Sequence, residues 1–359
     1  MNKKTLKELA EELERQKANR YDIVVPSDRL IVLKDGDKIY MDIPQPDGTT
    51  KRHSITSHAH DQIANKTGIP IKYYNKMKET GHLDLLANNV NEWMPNKDKR
   101  LVRVLDNKVR ALLSDRYRVI DNYDVLYATL EEFKKIQQER NMNIEIKRSD
   151  LTETNIYIKA TSPDLVDEVI HWKDRDGKER TEPVHGGIII SNSEVGAGAF
   201  NVKPFVNVLV CQNGLIGEHV FKRVHIGREL GVGLIDWSNE TLELEDAALW
   251  SKIRDMIQAT FDPEVFHKWV DEINEIASTE VPKPSLAVDN IIKHFDLPKS
   301  KKDDLLNQFA KESPTQWGLS MAVTQIAQNE EDYEKQIEME KIGAQLLEKK
   351  VTPIILKEE

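Results

Sequence analysis

The sequence predicts an α+β fold: an antiparallel sheet region with inserted helices, followed by a mainly helical C-terminal region. Three observations carry this expectation. Short β-type runs are bounded by Asp-Gly and Asp-Asn turn signals. Segments with helical spacing interrupt those runs. From Asn239 onward the pattern is helical throughout.

The first element is a helix over 5–20, where Leu6, Leu9 and Leu13 form a narrow apolar stripe on a charged background. Ile23–Val25, Leu30–Leu33 and Ile39–Met41 read as strands, with turns at Asp35-Gly36 and Asp47-Gly48, and together suggest a β-meander. Residues 57–80 are helical, with Ser57 as the expected N-cap. Gly68-Ile69-Pro70 ends one helix and opens the next, the layout of a helix-turn-helix. Leu101–Leu105 and Val109–Leu113 form a hairpin around Asp106-Asn107. A long helix follows over 122–140. Ile144–Ile146 pairs with Ile156–Ile158, and Asp174–Gly177 is a polar turn. Gly186–Ser191 and Phe205–Val210 are the strongest β segments, the second buried on both faces. In the C-terminal region Leu249, Ile253, Met256 and Ile257 share one helix face, as do Phe266, Trp269, Val270 and Ile273. The charged stretch 330–350 reads as a solvated helix.

The chain has 359 residues, 39% of them hydrophobic, which is enough for a core and excludes wholesale disorder. The expected division is an N-terminal helix over 1–20, an α+β core over 21–238 and a helical region over 239–359. No long apolar run predicts a membrane span. The N-terminus leads into charged residues instead of an apolar leader, which places the protein in the cytoplasm. The single cysteine, Cys211, excludes an internal disulfide, and its place at the end of an apolar strand predicts a buried, inert thiol. Amphipathic helices at both ends argue for a homo-oligomer.

No phosphate-binding loop, HExxH or GxSxG pattern occurs. The glycines at 227, 231 and 233 lack dinucleotide-binding spacing. His53, His58 and His60 are close in sequence but do not converge by spacing. The expectation is therefore a protein without a cofactor, a metal or an enzymatic centre.

The basic residues are concentrated. The net charge is −10, yet residues 97–118 hold eight cations against three carboxylates. Lys99, Arg100, Arg103, Lys108, Arg110, Arg116 and Arg118 surround Tyr117, and Lys222, Arg223 and Arg228 form a second cluster. Cationic strands with an interleaved aromatic suit a nucleic-acid backbone and a stacked base. The competing reading is that strands place charges on their wet face anyway. Alternation also sets Arg103 on one face with Leu101 and Leu105, which gives any groove a mixed lining.

Several stretches carry a resemblance: Leu113–Asn122, Ser191–Phe200 continuing to Val210–Leu215, Trp317–Thr324, Gly68-Ile69-Pro70 and Tyr73-Tyr74. Over roughly residues 20–330 the chain resembles the phage/plasmid-like family called domain of unknown function 932. The resemblance implies a phage or mobile element and DNA metabolism, without an assigned activity. Its specific part is Ser191, Asn192, Ser193, Glu194 and Gly196 together with Cys211, Asn213 and Gly214. These residues read either as corners of one sheet or as the lining of a groove. The leading function is single-stranded DNA binding or annealing in recombination or replication. The alternatives are an accessory or counter-defence protein that contacts a host or phage protein, and a helix-turn-helix regulator. The recognition helix of that regulator carries Lys72, Lys76 and Lys78 but no Arg, and Tyr73, Tyr74 and Met77 read as packing residues.

Overall fold

The computed structural model describes residues 5–94, 98–173, 178–208, 214–216 and 239–357. Helix α1 (Leu6–Asn19) leads into strands β1 (Arg20–Pro26), β2 (Ile31–Asp35), β3 (Lys38–Pro44) and β4 (Thr50–Ile55). Helices α2 (Ser57–Thr67), α3 (Ile71–Glu79) and α4 (Leu83–Trp93) follow, then β5 (Lys99–Leu105), β6 (Lys108–Ser114) and α5 (Asn122–Arg140). Strands β7 (Glu145–Leu151), β8 (Ile156–Lys173), β9 (Glu179–Asn192), β10 (Asn201–Val208) and β11 (Gly214–Ile216) complete the β structure. The C-terminal part holds α6 (Asn239–Thr260), α7 (Pro263–Ala277), α8 (Pro284–His294), α9 (Lys302–Phe309), α10 (Gln316–Ala327), α11 (Tyr333–Gln345) and α12 (Thr352–Ile355). The fold is α+β, as the sequence predicts.

Two sheets organise it. The first has the order β1-β5-β6-β4-β3-β2 and the second β11-β10-β9-β8-β7. The meander is real for β2, β3 and β4, but β1 leaves it. It pairs antiparallel with β5 at the opposite edge, Asp22 opposite Arg103. The β5–β6 turn stands on Asp106 and Asn107, both at positive φ (50° and 60°), the backbone of a two-residue hairpin turn.

Helices α2, α3 and α4 cover one face of the first sheet through Ile63, Tyr74, Leu86 and Val90. The cap of α2 is Thr56, one residue before the expected Ser57, and its hydroxyl accepts from the Ala59 amide at 3.3 Å. Gly68 (φ 71°) ends α2 in the left-handed region, which glycine enters without a Cβ clash.

The second sheet is covered on both sides. Helices α1, α5, α6 and α7 bury Leu9, Phe133, Ile253 and Phe266 against one face. Tyr333 and Ile337 of α11 pack on Ile189, Phe205 and Ile216 of the other. Strand β10 is therefore buried on both faces. Helices α6 and α7, placed by sequence in a separate C-terminal region, share the core of this sheet. Helices α8 to α12 close a further core around Val288, Leu305 and Val323.

The expected solvated helix over 330–350 is corrected by α11. Glu340 is fully buried, and its Oε2 accepts from Lys159 Nζ at 2.7 Å. The Arg148 guanidinium lies 3.7 Å from the Tyr333 ring centre. The inward charges of α11 are matched by groups on the sheet, so charge on this helix does not mean exposure. The apolar faces of α1 and α11, which argue for a homo-oligomer in the sequence, are thus covered within the chain. No helix among the described residues is long and apolar enough to cross a membrane.

Candidate functional site

The Ser-Asn-Ser-Glu-x-Gly segment leaves the end of β9 and crosses to the uncovered face of the first sheet. Val195 packs there against Leu101, Ala111 and Leu113. Asn192 Nδ2 donates to the Ile120 carbonyl and to Asn122 Oδ1. Ser193 Oγ accepts from the Ala197 amide, and the Ser193 carbonyl accepts from the Tyr117 hydroxyl at 3.0 Å. The Val195 carbonyl accepts from Gln62 Nε2 at 2.8 Å. Ser191 stays in the sheet, opposite Tyr157 and Asn201.

Glu194 is at the centre and is 2% exposed. Its Oε1 accepts from Arg110 Nη1 at 2.5 Å, its Oε2 accepts from the Asn122 amide at 3.0 Å, and Arg20 lies 3.5 Å away. Arg103, 3% exposed, donates to Asp22, to Asp121 and to the Glu194 carbonyl. Burial pulls the Arg103 guanidinium downward, but Asp22, Asp121 and Glu194 outweigh it and the net shift is upward. Three arginines and three carboxylates thus form one junction between the sheets.

The junction and its surroundings engage the strand arginines that the sequence offers as phosphate ligands. Arg103 and Arg110 are bound to carboxylates of their own chain, Arg100 to Asp98 and Arg118 to Asp246. Moving Arg110 to a phosphate would take from the buried Glu194 its 2.5 Å partner and leave it Arg20 and the Asn122 amide. Tyr117 is half-buried, and its hydroxyl donates to the Ser193 carbonyl. Among the described residues of the predicted set, Lys99, Lys108 and Arg116 are the exposed ones. Gly214 pairs with Asn207 at the start of β11. Lys222, Arg223, Arg228, Cys211 and Asn213 lie outside the described residues, as does the 174–177 turn.

Gly196 (φ 78°) ends the crossing segment, and a Cβ there would stand 2.6 Å from Leu113 Cδ2. Gly196→Ala is expected to lose about 1–2 kcal/mol to the left-handed backbone alone, with Leu113 displaced in addition. A urea titration measures the loss.

The three close histidines diverge. His53 meets the Tyr21 hydroxyl, His58 the Val195 carbonyl and His60 the Tyr74 hydroxyl, the last at 2.7 Å between α2 and α3. Burial, with Lys78 adding to it, pushes His60 from 6.5 down to about 4. The fold therefore favours the neutral imidazole. Its contribution is complete above about pH 6.5 and is lost as the pH falls to about 4, roughly 3 kcal/mol by linkage. Urea titrations between pH 7 and pH 4 should show this loss, and His60→Gln should remove that share of it.

A cavity of about 320 Å³ lies against α7 and the end of α11, lined by Trp269, Ile273, Ile276 and Leu347. Glu272, Glu348, Lys349 and Lys350 stand at the same lining, with Lys350 Nζ 3.0 Å from Glu348. Among the described residues no three His, Cys, Asp or Glu side chains cluster as metal ligands would.

A different surface gathers unpaired cations. Residues 62–78 carry Lys66, Lys72, Lys76 and Lys78 and no carboxylate. Among the described residues none of the four makes an ion pair. On α3, Lys72, Tyr73 and Lys76 are exposed and span an arc of about 100°. Tyr73, expected as a packing residue beside Tyr74 and Met77, is 47% exposed, whereas those two are buried. In the sequence, Lys72, Lys76 and Lys78 stand on the recognition helix of the helix-turn-helix reading, which lacks an arginine, and Lys66 has no assigned role. The missed signal is the carboxylate-free run itself.

Comparison of the chain with protein-family models, with curated proteins and with solved structures gives no match in any of the three.

Proposed function

We propose that the chain is a non-enzymatic DNA-binding protein of a phage or plasmid. It acts in the host cytoplasm, on single-stranded DNA, in recombination or replication. Its binding face is the α2–α3 corner, not the β5–β6 hairpin. The observation that carries this reading is the contrast between two sets of cations. The hairpin arginines are neutralised inside the chain, while Lys66, Lys72, Lys76 and Lys78 face solvent or its edge without carboxylate partners. A chain of net charge −10 that keeps one such run uncompensated presents a local attraction for phosphates. The motif resemblance to a mobile-element family points the same way.

Lys72→Ala with Lys76→Ala tests the surface. Both side chains are exposed, so the fold should be untouched. The double variant should lower the salt slope of single-strand binding by about 1.4, at about 0.7 per phosphate contact. Lys99→Ala with Lys108→Ala, on the hairpin, should leave the slope as it is. The reverse pattern would return the site to the hairpin. The helix-turn-helix reading keeps one specific support, the α2–Gly68–α3 layout, and tighter binding to a palindromic duplex than to a single strand would favour it.

A further inference from the structure

We infer that Tyr73 and Trp93 are base-stacking platforms, so that the site selects unpaired bases and not merely phosphate charge. The inference rests on the α2–α3 reading above. Tyr73 is 47% exposed and Trp93 is 51% exposed, on helices of the one layer that covers the first sheet. Helices α3 and α4 touch where Asn89 Nδ2 donates to Met77 Sδ at 3.8 Å. Tyr73 stands one turn before Met77, and Trp93 stands one turn after Asn89. Among the described residues neither ring is paired with another ring or with a cation.

The chemistry separates two ligand classes. A lysine track alone attracts the phosphates of a duplex and of a single strand alike. An aromatic face adds affinity only where a base is unstacked and free to lie on it, and it does so for any base. Tyr73 lies between Lys72 and Lys76 in sequence and beside them on the helix surface, so phosphate and base contacts can come from one nucleotide stretch. The expected ligand is therefore a single strand bound with little sequence preference.

Fluorescence titration of the full-length protein tests this, because Trp93 is itself a reporter. The ligands are oligothymidylate, a duplex of equal length and inorganic polyphosphate. Binding is followed independently by the anisotropy of a labelled oligonucleotide. Oligothymidylate should quench the emission, and Trp93→Phe should remove most of the quench while binding persists. Trp93→Ala and Tyr73→Ala should each weaken oligothymidylate binding roughly 5- to 100-fold, the value of one stacked base. Neither should change polyphosphate binding. If oligothymidylate binds with a steep salt dependence but both alanine variants bind equally well, the inference is overturned. The lysine reading then stands, and the rings are left to a protein contact. Equal affinity for the duplex without a Trp93 quench also overturns it. If the wild-type protein binds no nucleic acid near ~50 mM salt, both readings fall together.

Discussion

Glu194→Ala is expected to cost the fold roughly 3–5 kcal/mol, the range for removing one partner of a buried ion pair. The side chain is 2% exposed and holds Arg110, the Asn122 amide and Arg20 at once. Its removal leaves Arg110 facing the sheet junction with no carboxylate on that side. The loss comes from the stranded charge more than from the missing bond, and a double substitution separates the two. Arg110→Met with Glu194→Leu removes both charges and fills similar volume, so it should cost clearly less than Glu194→Ala alone. Equilibrium urea unfolding of the three proteins gives the comparison. If the single variant loses under about 1 kcal/mol, the junction behaves as a solvated surface pair and the account of the β5–β6 arginines fails.

Glu340→Ala should have an effect of the same size, for the same reason at a different place. Glu340 is on the buried face of α11 and takes the Lys159 ammonium at 2.7 Å. That ammonium also lies 4.2 Å from the Phe205 ring centre. Without the carboxylate, Lys159 keeps only the ring, and roughly 3–5 kcal/mol should be lost. The local reporter is the edge-on pair Tyr157–Tyr333, 5.3 Å apart between β8 and the start of α11, whose near-ultraviolet dichroism should weaken. Lys159→Met with Glu340→Leu should recover most of the stability. A Glu340→Ala protein as stable as wild type would mean that α11 is the solvated helix its composition suggests.

Local pattern carries the elements well and the partners poorly. The Asp106-Asn107 turn, the 122–140 helix and the Gly68 stop follow from residues that act within a few positions of themselves. Strand β1 looks like the first member of the meander because nothing near it shows that its partner is β5, some eighty residues on. The same distance hides the site. Alternation puts Arg103 on the leucine face of β5, and that placement is the legible sign of a buried cation. Its partners Asp22, Asp121 and Glu194 come from three separate elements, so the sign reads as a mixed groove until the chain is folded. Helix α11 fails for a similar reason: Glu340 is one acid among many, and only the position of Lys159 on β8 makes it internal. Cations within one short run, as at 66–78, need no distant partner to be recognised. Their meaning depends on exposure, which the structure supplies.

Single-strand binding through the α2–α3 lysines is the function proposed for this acidic chain. The most direct measurement is the dependence of oligothymidylate affinity on salt concentration for the full-length protein at pH 7. If Lys66, Lys72, Lys76 and Lys78 each meet a phosphate, the logarithm of the binding constant should fall with a slope of about −3. Absence of binding near ~50 mM salt, or a slope near zero, would contradict the claim and leave protein–protein contact as the leading function.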